Sequence, residues 1–172
     1  NNNFISDLTI TGGFRAEYYE TGGGIDIYKS DVNLSHITIR NNGGGGGLHK
    51  GGGVSINSAN PTLTHVTIRD NTSSFEGGGI DIRKSTPTLN YVTVESCTTS
   101  NKGGGIYVSD SNPIFKYVTI KNNISDNGWF DPDDPWSISV GGGLFLTHAQ
   151  ATPIVLEGIT IIGNSADRGG GL

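Results

Sequence analysis

The sequence predicts an all-β solenoid, and three observations carry that prediction. The first is a glycine triplet followed by an alternating apolar pair, Gly77-Gly78-Gly79-Ile80-Asp81-Ile82. Its triplet and first apolar residue return at Gly22-Gly23-Gly24-Ile25, Gly51-Gly52-Gly53-Val54, Gly103-Gly104-Gly105-Ile106, Gly141-Gly142-Gly143-Leu144 and Gly169-Gly170-Gly171-Leu172. The second is a β-branched triplet: Leu8-Thr9-Ile10, Ile37-Thr38-Ile39, Val66-Thr67-Ile68, Val92-Thr93-Val94, Val118-Thr119-Ile120 and Ile159-Thr160-Ile161. The third is the period: Val54 to Ile80 and Ile80 to Ile106 are both 26 residues apart, and Ile25 to Val54 is 29. A fixed repeat of this length marks a solenoid.

The local pattern selects the kind of solenoid. Ile80-Asp81-Ile82 and Val66-Thr67-Ile68 alternate apolar and polar residues, the two-residue period of a strand with one buried face. No window carries apolar residues at helical spacing, which excludes helical repeats, and the leucine consensus of leucine-rich repeats is missing. A β-helix remains, with about three short strands per coil and turns at glycine, at Ser/Asn and before proline. Equivalent residues then stack in columns about 4.8 Å apart. The expected inward columns are Ile25, Val54, Ile80, Ile106, Leu144; Leu34, Leu63, Leu89, Phe115, Val155; and Ile39, Ile68, Val94, Ile120, Ile161. Val32, Pro61, Pro87, Pro113 and Pro153 form a column that stiffens the start of the second strand. Asn42, Asn71, Asn123 and Asn164 form an expected amide ladder at a left-handed bend, with Cys97 as a small buried substitute.

Composition narrows the class. A third of the 172 residues is apolar, the net charge is −5, and the 28 glycines are periodic, so a regular single domain over 1–172 is expected. Eleven scattered Lys and Arg make no basic footprint for nucleic acid. One cysteine gives no internal disulfide, and no run is long and apolar enough for a membrane span. The first and last residues fall inside coils without caps. A fragment of a longer solenoid, or a unit that associates end to end, is therefore expected.

The GGGI triplet, followed about fifteen residues later by a strand ending in I-x-x-N, resembles the repeats of right-handed parallel β-helices of the pectate-lyase-like superfamily. It is especially similar to the GGA[IV] and FxxN repeats of polymorphic outer-membrane proteins and bacterial surface passengers. The I-x-x-N half matches at Ile39–Asn42, Ile68–Asn71, Ile120–Asn123 and Ile161–Asn164. It departs at Cys97, and isoleucine stands where that family often has phenylalanine. The resemblance implies a right-handed single-stranded parallel β-helix of roughly five to six coils and an extracellular or cell-surface location. It leaves function open, since one coil type serves lyases, glycosidases and adhesins.

Length variation is expected at one edge. The segment between the Asn position and the next triplet is short at 72–76, 98–102 and 165–168, and swells at 14–21, 43–50 and 124–140. Edge loops are where repeat proteins place binding. Trp129, Phe130 and Trp136, with Tyr18 and Tyr19, could offer an aromatic platform to a glycan or to a surface protein. Asp126, Asp131, Asp133 and Asp134 supply the hard oxygens that calcium takes, without the glycine and glutamate of an EF-hand. The alternative is that the tryptophans fold back over Tyr107 and Phe145 while the acids keep the loop soluble. No cofactor other than calcium is suggested.

Catalysis has less support. There is no R-x-P-x-x-R and no G-H-G, the marks of β-helix lyases and polygalacturonase-like hydrolases, and the only D-D lies in a loop. The best remaining pair is Asp26 and Asp81, outward on the first strand with Ser55 between them and Arg83 and Tyr28 beside them. Two coil steps separate them by roughly 9–10 Å, the wide limit for inverting glycosidases. Solvated surface acids are the simpler reading. His36, His65, Tyr91 and Tyr117 form a packing ladder. The outward Thr9, Thr38, Thr67, Thr93, Thr119 and Thr160 lack the second regular column that an ice-binding face needs. The favoured function is a structural, adhesin-like scaffold. The alternative is a fragment of a polysaccharide lyase or glycoside hydrolase.

Overall fold

A computed structural model describes residues 3–15, 22–44, 48–126, 138–147 and 153–172. Every strand pairing is parallel, and each strand pairs with its equivalents one coil above and below. One coil runs through Ile80–Arg83, Thr88–Asn90, Thr93–Glu95 and a two-residue corner strand, Thr98–Thr99. Stacking gives two sheets of six strands and two of five. From one first strand to the next, Ile25, Val54, Ile80, Ile106 and Leu144 bound four complete coils with a partial coil at each end. That is fewer than the five to six expected, because both end coils are incomplete.

The apolar columns meet as expected. Ile80 pairs with Val54 and Ile106, Leu89 with Leu63 and Phe115, and Val94 with Ile68 and Ile120. These side chains are fully buried in one continuous core. The expectation fails once, in the last coil. Phe115 pairs with Leu156 rather than Val155, and the proline column continues from Pro113 to Ile154 rather than Pro153. The link between first and second strand explains the slip: it joins Ser109 to Ile114 in one coil, but the longer stretch from Thr147 to Val155 in the next. Length variation is therefore not confined to one corner.

Glycine triplets mark the place where the chain has no room for Cβ. Gly77 has φ +64, and a Cβ there would lie 2.5 Å from the Ile80 carbonyl oxygen; one on Gly79 would lie 2.7 Å from that of Gly105. The Asn ladder forms with one refinement. The left-handed residue at that bend is the preceding one, Asn41, Asp70, Ser96 or Asn122, each with φ between 51° and 55°. This leaves the ladder residue free to point inward. Asn42 donates to Asn71 Oδ1 at 3.1 Å and Asn123 to Asn164 Oδ1 at 2.9 Å, while each amide also donates to a backbone carbonyl. Cys97 is fully buried in the third of the five places, and burial pushes its thiol up to about 12. The ring ladder is present too, with centroids 4.8–5.0 Å apart from His36 through His65 and Tyr91 to Tyr117.

Candidate functional site

The expected catalytic pair lies on the outward face of the first-strand sheet, and register puts Ser55 between Asp26 and Asp81. The two acids differ in environment. Asp26 is exposed, whereas Asp81 is 1 % exposed. Reading Asp81 as a solvated surface acid is therefore corrected. The residues that bury it come from two residues along the strand, from the next coil and from the corner. Arg83 Nε reaches both Asp81 oxygens at 3.1 and 2.9 Å, and its Nη2 is ion-paired with Glu76. The guanidinium lies over the Tyr107 ring at 4.6 Å, and Tyr107 stacks on Phe145 at 5.6 Å. Lys50 closes the cluster 4.0 Å from Glu76.

The electrostatics follow from burial. Desolvation pushes the Asp81 carboxyl up to about 6, against the pull of Arg83 and Lys50 and with a further push from Glu76. Burial opposes the Arg83 charge, yet Asp81 and Glu76 outweigh it and hold its pKa above the ordinary value. Tyr107 is raised, first by burial and then by Glu76. Asp81 is thus committed to Arg83, and both of its oxygens are occupied. The Ser55 hydroxyl beside it is fully buried and has no hydrogen-bond partner among the described residues. Sequence reasoning missed Glu76. Its signal was the residue just before each triplet, where Lys50, Glu76, Lys102, Val140 and Arg168 bridge coil to coil.

The corner holds the other expected sites. Tyr18, Tyr19, Trp129, Phe130, Trp136, Asp131, Asp133 and Asp134 lie outside the described residues. Asp126 is exposed, and its amide donates to the Thr99 carbonyl at 2.8 Å. Among the described residues no three His, Cys, Asp or Glu gather as metal ligands. The two feet of the 124–140 insertion are fixed. Beside Asp126, Val140 donates to Asn101 O at 3.0 Å, and the Ser139 amide and hydroxyl both donate to Asp167 Oδ2. Those two bonds hold the Asp167 carboxyl below its usual range. Two coils earlier, Ser73 Oγ shares its proton between the carbonyls of His49 and Glu76, clamping the foot of the 43–50 insertion.

The family model described as "Right handed beta helix region" matches residues 1–172. No curated protein and no solved structure matches the chain.

Proposed function

The chain belongs to the right-handed β-helix family, and from that premise we propose that it is a rigid extracellular or cell-surface scaffold whose edge loops contact a glycan or a partner protein. One observation carries the reading: the chain leaves and rejoins the same stack whatever the length between. Residues 126–139 stand where 100–101 stand one coil earlier, yet Val140 bridges Lys102 and Arg168 as Lys102 bridges Glu76. A scaffold that tolerates such a change between bonded feet can vary its loops without altering its core. The Asp126 carboxylate, with the acids of the 124–140 loop, is the place where calcium would join that contact.

The alternative, part of a β-helix polysaccharide enzyme, would draw on Asp26 and Asp81. The engagement of both Asp81 oxygens by Arg83 favours the scaffold. Deleting residues 128–135 tests the proposal. The far-ultraviolet circular dichroism of the coils should persist while binding on a glycan array or to a surface-protein panel is lost. Retained binding would count against the edge loop. Expressed as these 172 residues, the chain is also proposed to associate end to end. Phe4, Ile5 and Leu8 are exposed on one end coil, and Leu156, Ile162 and Leu172 on the other. A monomer by light scattering at all concentrations would refute that.

A further inference from the structure

Phe14, Gly43, Thr72, Thr98 and Ile124 form the outward column of the corner strands. Gly43 interrupts it. A Cβ there would lie 2.9 Å from the Thr72 carbonyl oxygen, so close backbone approach keeps the place free of a side chain. The gap opens a groove of about 440 Å³, floored by Gly12, Gly13 and Gly43. Phe14, Asn41, Asp70 and Thr72 wall it.

The walls have a definite chemistry. Phe14 is 68 % exposed and supplies an aromatic surface at one side. Asp70 is ion-paired with Arg69 through Oδ2, which leaves Oδ1 to accept a hydrogen bond. Thr98 donates its hydroxyl to Thr72 Oγ1 at 3.1 Å, so Thr72 retains its own proton to donate. The exposed Asn41 side chain can both donate and accept. One aromatic surface with an acceptor, a donor and a carboxamide around a glycine floor matches a ring that has an apolar face and an equatorial belt of hydroxyls. A peptide would instead ask for an open strand edge or a longer apolar channel.

We infer that this groove binds a neutral pyranose unit of a glycan. The apolar face of the sugar lies on Phe14, one hydroxyl donates to Asp70 Oδ1, and a neighbouring one accepts from Thr72. The inference rests on reading the corner as the contact edge, since Phe14 and Gly43 stand at the feet of the 14–21 and 43–50 insertions. It differs in placing a sugar on described residues of the solenoid itself.

The test is an amide-detected NMR titration of the 172-residue chain with methyl β-glucopyranoside, methyl β-galactopyranoside and methyl α-mannopyranoside. At least one glycoside should shift the Gly13, Gly43 and Thr72 amides. Phe14→Ala, which removes an exposed ring, should weaken that binding about tenfold, and Thr72→Val about threefold. The inference is overturned if none of the three moves these amides, or if Phe14→Ala binds as tightly as the parent. The chain lacking residues 128–135 separates this site from the loop. Groove shifts that persist there support the groove even where array binding is lost. If the deletion abolishes glycan binding and Phe14→Ala does not, the groove falls and the scaffold reading stands.

Discussion

The Asn-ladder bend and its neighbours in the coil, the corner strand that follows it and the first-strand face, solve the same problem at different cost. At the ladder, each Asn side chain bonds an Asn of a neighbouring coil and a backbone carbonyl, and the bend keeps one length throughout. At the corner and the first-strand face, loop lengths vary, and all three buried polar atoms without a partner among the described residues are found there: His49 Nε2, Ser55 Oγ and Thr99 Oγ1. The raised Asp81 carboxyl is there too. A bend whose groups are satisfied within the repeat is fixed in length. One satisfied by hydroxyls reaching whichever carbonyl returns, as with Ser73 and Ser125, can absorb insertions. Buried unsatisfied groups collect where a fold departs from its repeat, and such departures gather at working surfaces.

The harshest way to break the comparison is through the core both regions share. Ile82→Asp places an unpaired charge at a fully buried position and should cost at least about 4 kcal/mol. Thermal melting reads this directly, and a variant that melts like the parent would refute the column register.

Next in size is the pH response of the costlier first-strand face. Asp81 has a folded-state pKa of about 6 against 3.8 for the free group, so between those values the folded chain holds a proton that the unfolded chain has lost. Stability from this group is therefore full below 3.8 and is lost as pH rises through 6, about 3 kcal/mol in all. Urea unfolding of the parent between pH 7 and 4, set against Asp81→Asn, should show that slope in the parent alone.

The ladder is sharper still when tested against the corner. Asn71→Ala removes a fully buried amide bonded twice to the preceding coil, through the Asn42 side chain and the Ile39 carbonyl, and should cost about 2 kcal/mol. Ser73→Ala at the corner should cost about 1 kcal/mol. Equal losses by chemical denaturation would mean that bend and corner are held equally firmly. The smallest effect should be a gain. Cys97→Asn restores the missing rung, since toward the following coil Asn71 Nδ2 meets the Cys97 sulfur at 3.9 Å, and should add about 1 kcal/mol in the same assay.

Most of the solenoid was legible in the chain because alternation and period reinforce each other. Ile80 and Ile82 point inward by the strand rule, and Val54 and Ile106 repeat the pattern one period away. Cys97 could be placed in the ladder by position alone. Val155 could not be aligned correctly, since the extra residues before it are visible only once Leu156 is seen opposite Phe115. Asp81 misled for a physical reason. Outward residues of a strand normally meet water, and only Glu76 at the corner, Arg83 two residues on and Tyr107 one coil below take that water away. The groove at Gly43 was hidden because that glycine begins a run of five and looks like the start of a flexible loop.

Cys97 also bears on how the solenoid comes apart. A stack of coils behaves as a one-dimensional chain of units, each held by its own stability and by its coupling to two neighbours. Between the coils of Asn42 and Asn71, and between those of Asn123 and Asn164, that coupling includes an amide-to-amide bond. Between Asn71 and Cys97 it has only a long contact to sulfur, although the backbone of Cys97 is still bonded to Asn123 on the far side. The side-chain rungs thus fall into two blocks, Asn42–Asn71 and Cys97–Asn164, joined at a seam in the middle of the stack. Under tension along the axis, that seam is where the cooperative unit should divide first, although the backbone pairing runs across it unbroken.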